Sequence, residues 1–271
     1  MLHGLSMAVP EASLRQLSFK DFASQQFNLR LREDFPYEEI EWVVGMKTPN
    51  EKCAALVHVL YEDELRHEPA NEVRGWISWH SGRTCKIALA IAERAGFSDD
   101  QKAVLGRAAL LHDIGKIGID PAIVNKNGPL ADDERSVMAT HNRISQAILK
   151  YAGLGTEAAL AAAHHEHQKT SSGRQRNDLI ESEHRDMKQH ADLYPLMAVL
   201  ELADMTDAMV NFDDRPYPNH MQELFAAAAR DGTLGDAVFQ QIAENPYLDK
   251  EILFEDLVKV GIARAVEMRK E

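Results

Sequence analysis

At 271 residues the chain is long enough to bury a substantial core, as one large domain or as a main domain with an appendage. Its 45% hydrophobic and 27% charged residues are ordinary for a globular protein. The formal net charge of −13 argues against binding DNA or RNA polymers or an acidic membrane surface, because phosphate recognition leaves a basic footprint. Two cysteines, Cys53 and Cys85, form neither a ligand spacing nor a disulfide framework, so a reducing, cytoplasmic location is expected. No apolar run approaches a membrane span, and the N-terminus lacks the order of a signal peptide. The unusual feature is the 12 histidines.

Residues 1–70 suggest a smaller helical appendage of unassigned role, a place for homodimerisation or for a signalling-protein partner. Phe19, Phe22, Phe27, Phe35 and Trp42 are its apolar anchors, with breaks at Pro10, Pro36 and Pro49. Thr48-Pro49-Asn50-Glu51 predicts a helix start with proline at the first position, and Leu56, Val59 and Leu60 then recur at helical spacing. His58 and His67 have the look of ordinary helix residues.

The main domain is expected over 71–271. His80 opens a predicted helix that ends at Gly96, and Ser98-Asp99-Asp100-Gln101 is a capping box for the next. That second helix delivers His112-Asp113, followed by Gly115 and Lys116. A neutral nitrogen beside an anionic oxygen suits borderline and hard divalent metals, with Lys116 placed to meet a phosphate. The competing reading is a helix C-terminus, with His112 and Lys116 complementing the dipole and Gly115 as cap. A helix over 132–150 carries Val137, His141, Ile144 and Ile148 on one stripe, so His141 faces inward, as a metal ligand or a core histidine. Thr156 caps an alanine-rich helix that ends at His164-His165. Residues 166–190 are polar and charged, a long loop containing His167, His184 and His190. Pro195 starts a helix that lines up Leu196, Leu200, Asp204 and Asp207; a metal would satisfy Asp204, while Asp207 could equally sit at the wet edge of the stripe. Helices near 219–230, 236–244 and 249–270 complete an all-α pattern.

His80, His112, Asp113, His141, His164, His165 and Asp204 therefore stand at helix ends or on inward faces. Seven nitrogen and oxygen ligands exceed the needs of one ion and suggest two, with Asp113 bridging; the lack of cysteine disfavours a structural thiolate site. The order His80, His112-Asp113, Asp204 resembles the HD phosphohydrolase superfamily, and His141 with His164-His165 narrows the likeness to its HD-GYP branch, bacterial cyclic-di-GMP phosphodiesterases. The segments Ala203–Ala208, Arg215-Pro216-Tyr217 and Asp231-Gly232-Thr233 also look like that family's motifs.

The resemblance implies an HD-domain helical bundle in which those seven residues hold two divalent metals. Iron or manganese suits the donors best, with nickel, zinc or magnesium also admitted. It implies Asp113 and Lys116 as the catalytic pair, with Lys116 and Arg215 contacting phosphate. The chain departs from the family after Glu166, where the family's Gly-Tyr-Pro stretch is replaced by His167 to His190. That segment is expected to lie over the cavity as a lid, with Arg174 or Arg176 reaching the phosphates, or else to be a surface insertion. Trp76 stands where some members carry a glutamate linked to a third metal, so two metals are expected. The expected activity is hydrolysis of a cyclic dinucleotide, cyclic-di-GMP above all, to the linear dinucleotide. The alternatives are a phosphohydrolase of another nucleotide, or a catalytically weak sensor or interaction protein.

Overall fold

Capping groups decide where the N-terminal helices begin. The structure of the protein, a computed structural model, describes residues 17–67, 76–126, 128–165, 191–211, 231 and 254–269. Among these, every regular element is helical, as the sequence predicts. Ser18 caps α1 (Phe19–Phe27) by accepting from the Asp21 amide, and the helix ends at Asn28 in left-handed backbone, φ 51°. After α2 (Tyr37–Val43), α3 (Pro49–His67) starts behind Thr48 as expected. Thr48 Oγ1 accepts from the Glu51 amide while Glu51 Oε2 accepts from the Thr48 amide, a reciprocal pair that satisfies two otherwise orphaned donors.

The rest of the chain builds α4 (Trp76–Arg94), α5 (Asp99–Leu111), a 3-10 turn (Ile114–Gly118), α6 (Pro121–Val124), α7 (Asp132–Met138), α8 (His141–Tyr151), α9 (Gly155–Ala163), a second 3-10 turn (Ala191–Leu193), α10 (Tyr194–Val210) and α11 (Phe254–Met268). The capping box at Ser98 and Gln101 is present. Several expectations change. His80 lies a turn inside α4 instead of opening it. The helix predicted over 132–150 is two, parted at Ala139-Thr140, and Val137 is 41% exposed, so the inward stripe begins only at His141. Thr156 is inside α9 and not its cap: the chain leaves α8 through Gly153 at φ 74°, with Leu154 N donating to Leu149 O, and enters α9 at Gly155. Trp42, expected as an anchor, is 68% exposed. The helices predicted near 219–230 and 236–244 lie outside the described residues.

Two hydrophobic clusters hold these elements together. One gathers Ile87, Ile91, Leu105, Leu160, Leu200, Met209 and Leu257, and so joins α4, α5, α9, α10 and α11. The other gathers Phe19, Ile40, Leu56, Leu60, Ile77, Leu111, Ile114, Ile117, Ile144 and Ile148, and so joins α1–α3 to the start of α4, the 3-10 turn and α8. Each fully buried Leu or Ile contributes about 1.5–3 kcal/mol of transfer free energy. Because α4, α5 and α9 belong to both clusters, residues at their ends are fixed from two sides. His112 and His164 follow the ends of α5 and α9, and His80 lies a turn inside α4.

Candidate metal centre

Three of the histidines stand at helix ends and use the preceding turn in the same way. His112 follows α5, His164 follows α9, and His141 starts α8 just past α7. Their Nδ1 atoms lie 2.8 Å from Ala109 O, 2.6 Å from Ala161 O and 2.6 Å from Met138 O. A carbonyl can only accept, so each Nδ1 carries the proton and each Nε2 presents a lone pair inward. The helix-end reading and the ligand reading of His112 thus describe two atoms of one ring.

The inward atoms converge on Asp113. Its Oδ1 lies 3.3 Å from His141 Nε2 and 3.9 Å from His164 Nε2; its Oδ2 lies 3.4 Å from His112 Nε2 and 3.8 Å from His80 Nε2. Asp204 Oδ1 is 2.8 Å from His80 Nε2 and 3.7 Å from His112 Nε2, while its Oδ2 is 3.5 Å from His165 Nε2. All seven residues singled out in the sequence are therefore brought together. Two groups have donor atoms close enough for an ion, His80/His112/Asp113 and His141/His164/His165, and the two oxygens of Asp113 face one group each.

A fit to cations is visible in the donors themselves. His112 Nε2 and Asp113 Oδ1 are fully buried and make no hydrogen bond among the described residues, although an unpartnered buried polar atom is costly. Burial pushes the Asp113 carboxyl up, but Lys116, His112 and His141 outweigh it and hold the group well below the usual carboxylate range. Asp204 is likewise held low against its burial by His112, His165 and His80. Burial, reinforced by His165, His112 and His141, holds His164 well below the usual imidazole range and so keeps it neutral. Anionic oxygens and neutral imidazoles are the forms that ligate divalent ions.

Of the two readings left open for Asp207, the wet edge is excluded: the residue is 1% exposed. His80 Nδ1 donates to its Oδ2 at 2.7 Å, and Arg83 and Asn211 hold its Oδ1 at 2.7 Å each. It aims His80 as a carboxylate partner does for a ligating histidine. Arg83 and Asn211 were not singled out in the sequence, although Arg83 lies three residues after His80 and Asn211 four residues after Asp207.

The remaining pieces sit on the turn after Asp113. Gly115 is there because space demands it: a Cβ would lie 2.0 Å from His141 O and 2.5 Å from Ser145 N. Its amide donates to Ser145 Oγ at 2.8 Å, and that hydroxyl donates to His112 O at 2.7 Å. Gly115 is thus a point of close approach between the turn and α8, not a helix cap. Lys116 Nζ reaches Asp113 Oδ2 at 2.5 Å and lies 4.9 Å over the Trp76 ring. Arg174, Arg176 and Arg215 lie outside the described residues.

Residues 78–209, which include all seven side chains and Asp207, match the HD domain family. Over this stretch the chain is similar to an HD domain. A 3′3′-cGAMP-specific phosphodiesterase of Vibrio cholerae is 41% identical over 88 residues, 32% of this chain and 19% of that protein. A cyclic di-GMP phosphodiesterase of Thermotoga maritima is 36% identical over 201 residues, 71% of this chain and 44% of the relative. The cyclic di-GMP phosphodiesterase response regulator RpfG of Xanthomonas campestris is 36% identical over 89 residues, 31% of this chain and 23% of that protein. The chain thus spans less than half the length of these relatives. Among solved structures, the HD domain of the L. monocytogenes phosphodiesterase PgpH is similar at 18% identity and a TM-score of 0.43, covering 78% of this chain and 99% of that one.

Proposed function

We propose that this HD domain is a metal-dependent phosphodiesterase of the HD-GYP type that opens a cyclic dinucleotide, cyclic-di-GMP above all, to the linear dinucleotide. The observation that carries the proposal is Asp113, with one oxygen toward each of two donor groups and Lys116 at 2.5 Å. The names of the relatives support the substrate class. His80, His112, Asp113, His141, His164, His165 and Asp204 would hold two divalent ions, iron or manganese in preference to nickel, zinc or magnesium. Bound there, the ions supply a nucleophile from water at neutral pH and neutralise phosphate charge.

The chain's own residues divide the other tasks. Asp113 and Asp204 bring negative charge to the donor set, and the Nδ1 contacts keep the imidazoles turned inward. Lys116 presents its ammonium to a phosphate oxygen as charge accumulates on it. Arg215, and Arg174 or Arg176 on the segment that replaces Gly-Tyr-Pro, complete the phosphate contacts. Trp76 offers no metal-binding lone pair, so the place beside Lys116 takes no third ion and hydrolysis stops at the linear product.

Metal analysis of chelator-free protein and a turnover panel of cyclic-di-GMP, 3′3′-cGAMP and 2′,3′-cyclic mononucleotides test the reading together. The expected result is about two transition-metal ions per chain, with cyclic dinucleotides consumed and the mononucleotides untouched. Asp113→Ala should lose most of both ions. Full metal retention in that variant overturns the bridging role, and failure to consume any cyclic dinucleotide overturns the activity.

A further inference from the structure

Lys116 does not hold its own position. The turn that carries it is pinned at its front by Ser145, through the Gly115 amide. At its back the Ile117 carbonyl has passed beyond the helical hydrogen-bond pattern, and such terminal carbonyls need an outside donor. That donor is Arg32, whose Nε lies 2.6 Å from Ile117 O across 85 residues of sequence. The Arg32 side chain is only 8% exposed, a costly place for a cation unless it is well paired. Its other nitrogens meet Asp63 on α3 and, at the rim, Asp34 and the His67 ring. Asp63 is itself buried. The guanidinium fork therefore ties the carbonyl next to Lys116 to a fixed helix, a double contact that a lysine could not reproduce.

We propose that Arg32 is a positioning residue for Lys116, and that the N-terminal helices take part in the phosphodiester centre by holding the 3-10 turn through the Ile117 carbonyl. This rests on the reading of Lys116 as the phosphate-facing cation. The ammonium is defined by two short approaches, to Asp113 and to the Trp76 ring, and a shift of about an ångström in the turn can cost on the order of 100-fold in rate. No other cation among the described residues is seen to bind this turn's backbone.

The test uses Arg32→Lys, which keeps a buried cation able to pair with Asp63 but not to hold Ile117 O at the same time, with Arg32→Ala as the stronger variant. Arg32→Lys should lower kcat about 10-fold or more while KM and metal content stay within about twofold. In a Lys116→Ala background the same change should cost nothing further. An equal loss in both backgrounds would mean that Arg32 supports the fold only, and would overturn the proposal. A second readout needs no turnover. The chain has 3 tryptophans, so in 5-fluorotryptophan-labelled protein Trp76 can be assigned by Trp76→Phe. Its fluorine resonance should move in Lys116→Met and move again in Arg32→Lys, with Trp42 unchanged in both. A Trp76 resonance that ignores Arg32→Lys in folded protein overturns the positioning role. Should the wild-type protein consume no cyclic dinucleotide, the proposed activity falls, and the resonance still decides the role of Arg32.

Discussion

A single carboxylate, Asp207, fixes the aim of one histidine and in turn depends on Arg83 and Asn211. Asp207→Ala should lower metal affinity by about 10–100-fold, as loss of a histidine's carboxylate partner does, measured by competition with a chromophoric chelator. Unchanged affinity would remove Asp207 from the support of the site. The stripe Leu196, Leu200, Asp204, Asp207 was visible in the sequence, yet a partner 127 residues away was not. His67 shows the same limit. It was read as an ordinary helix residue, but its Nε2 lies 2.9 Å from Asp34, and its Nδ1 donates to Asp63 O at 2.8 Å. The proposed ligands were legible because histidine and aspartate at helix ends or on inward helix faces are local features. The cysteines make a separate prediction. Burial pushes both Cys53 and Cys85 up to about 11, so at pH 8 only about one thiol in a thousand is ionised. Both should resist iodoacetamide at pH 8 until the chain is unfolded. Because the unfolded thiols ionise first, their contribution to stability is complete below pH 9 and is lost as pH rises toward 11.

At the scale of elements, the site is an arrangement of helix ends, and its tightest point is the crossing of the 3-10 turn over α8. Gly115→Ala must move the backbone of His141 or Ser145, so it should destabilise the protein by about 3 kcal/mol or more and weaken metal binding through His141. Gly155→Ala is the matched control: nothing lies within 4 Å of its added Cβ, and it should be neutral or stabilising by about 0.5 kcal/mol. Urea denaturation of the two variants checks the contrast. Helix starts marked by Thr48 and Ser98 were legible because capping is written in neighbouring residues. The break between α7 and α8 was not, because Val137 continues the apolar period although its side chain faces solvent. The close approach at Gly115 was hidden too, since nothing local distinguishes a glycine that ends a helix from one that lets another helix in.

Across the whole molecule, the described N-terminal helices are not laid on the outside of the helices that carry the candidate site. Phe19, Leu56 and Leu60 share a hydrophobic cluster with Ile114, Ile117 and Ile148, the residues that flank the site. Sequence periodicity could place those side chains inward but could not say which surface they would meet. The donor set has a consequence at the same scale. His80 and Asp204 are 124 residues apart, and the other proposed ligands fall between them at the ends of α5, α9 and α8. An ion held by such a set acts as a cross-link that closes long loops, and it restricts the unfolded chain far more than it changes the folded one. Metal-loaded protein should therefore melt as one cooperative unit at a temperature that rises with free metal concentration, and stripping the metal should loosen α4 and α10 together. Ions held by the proposed ligands would then also be the knots that keep the chain from coming undone.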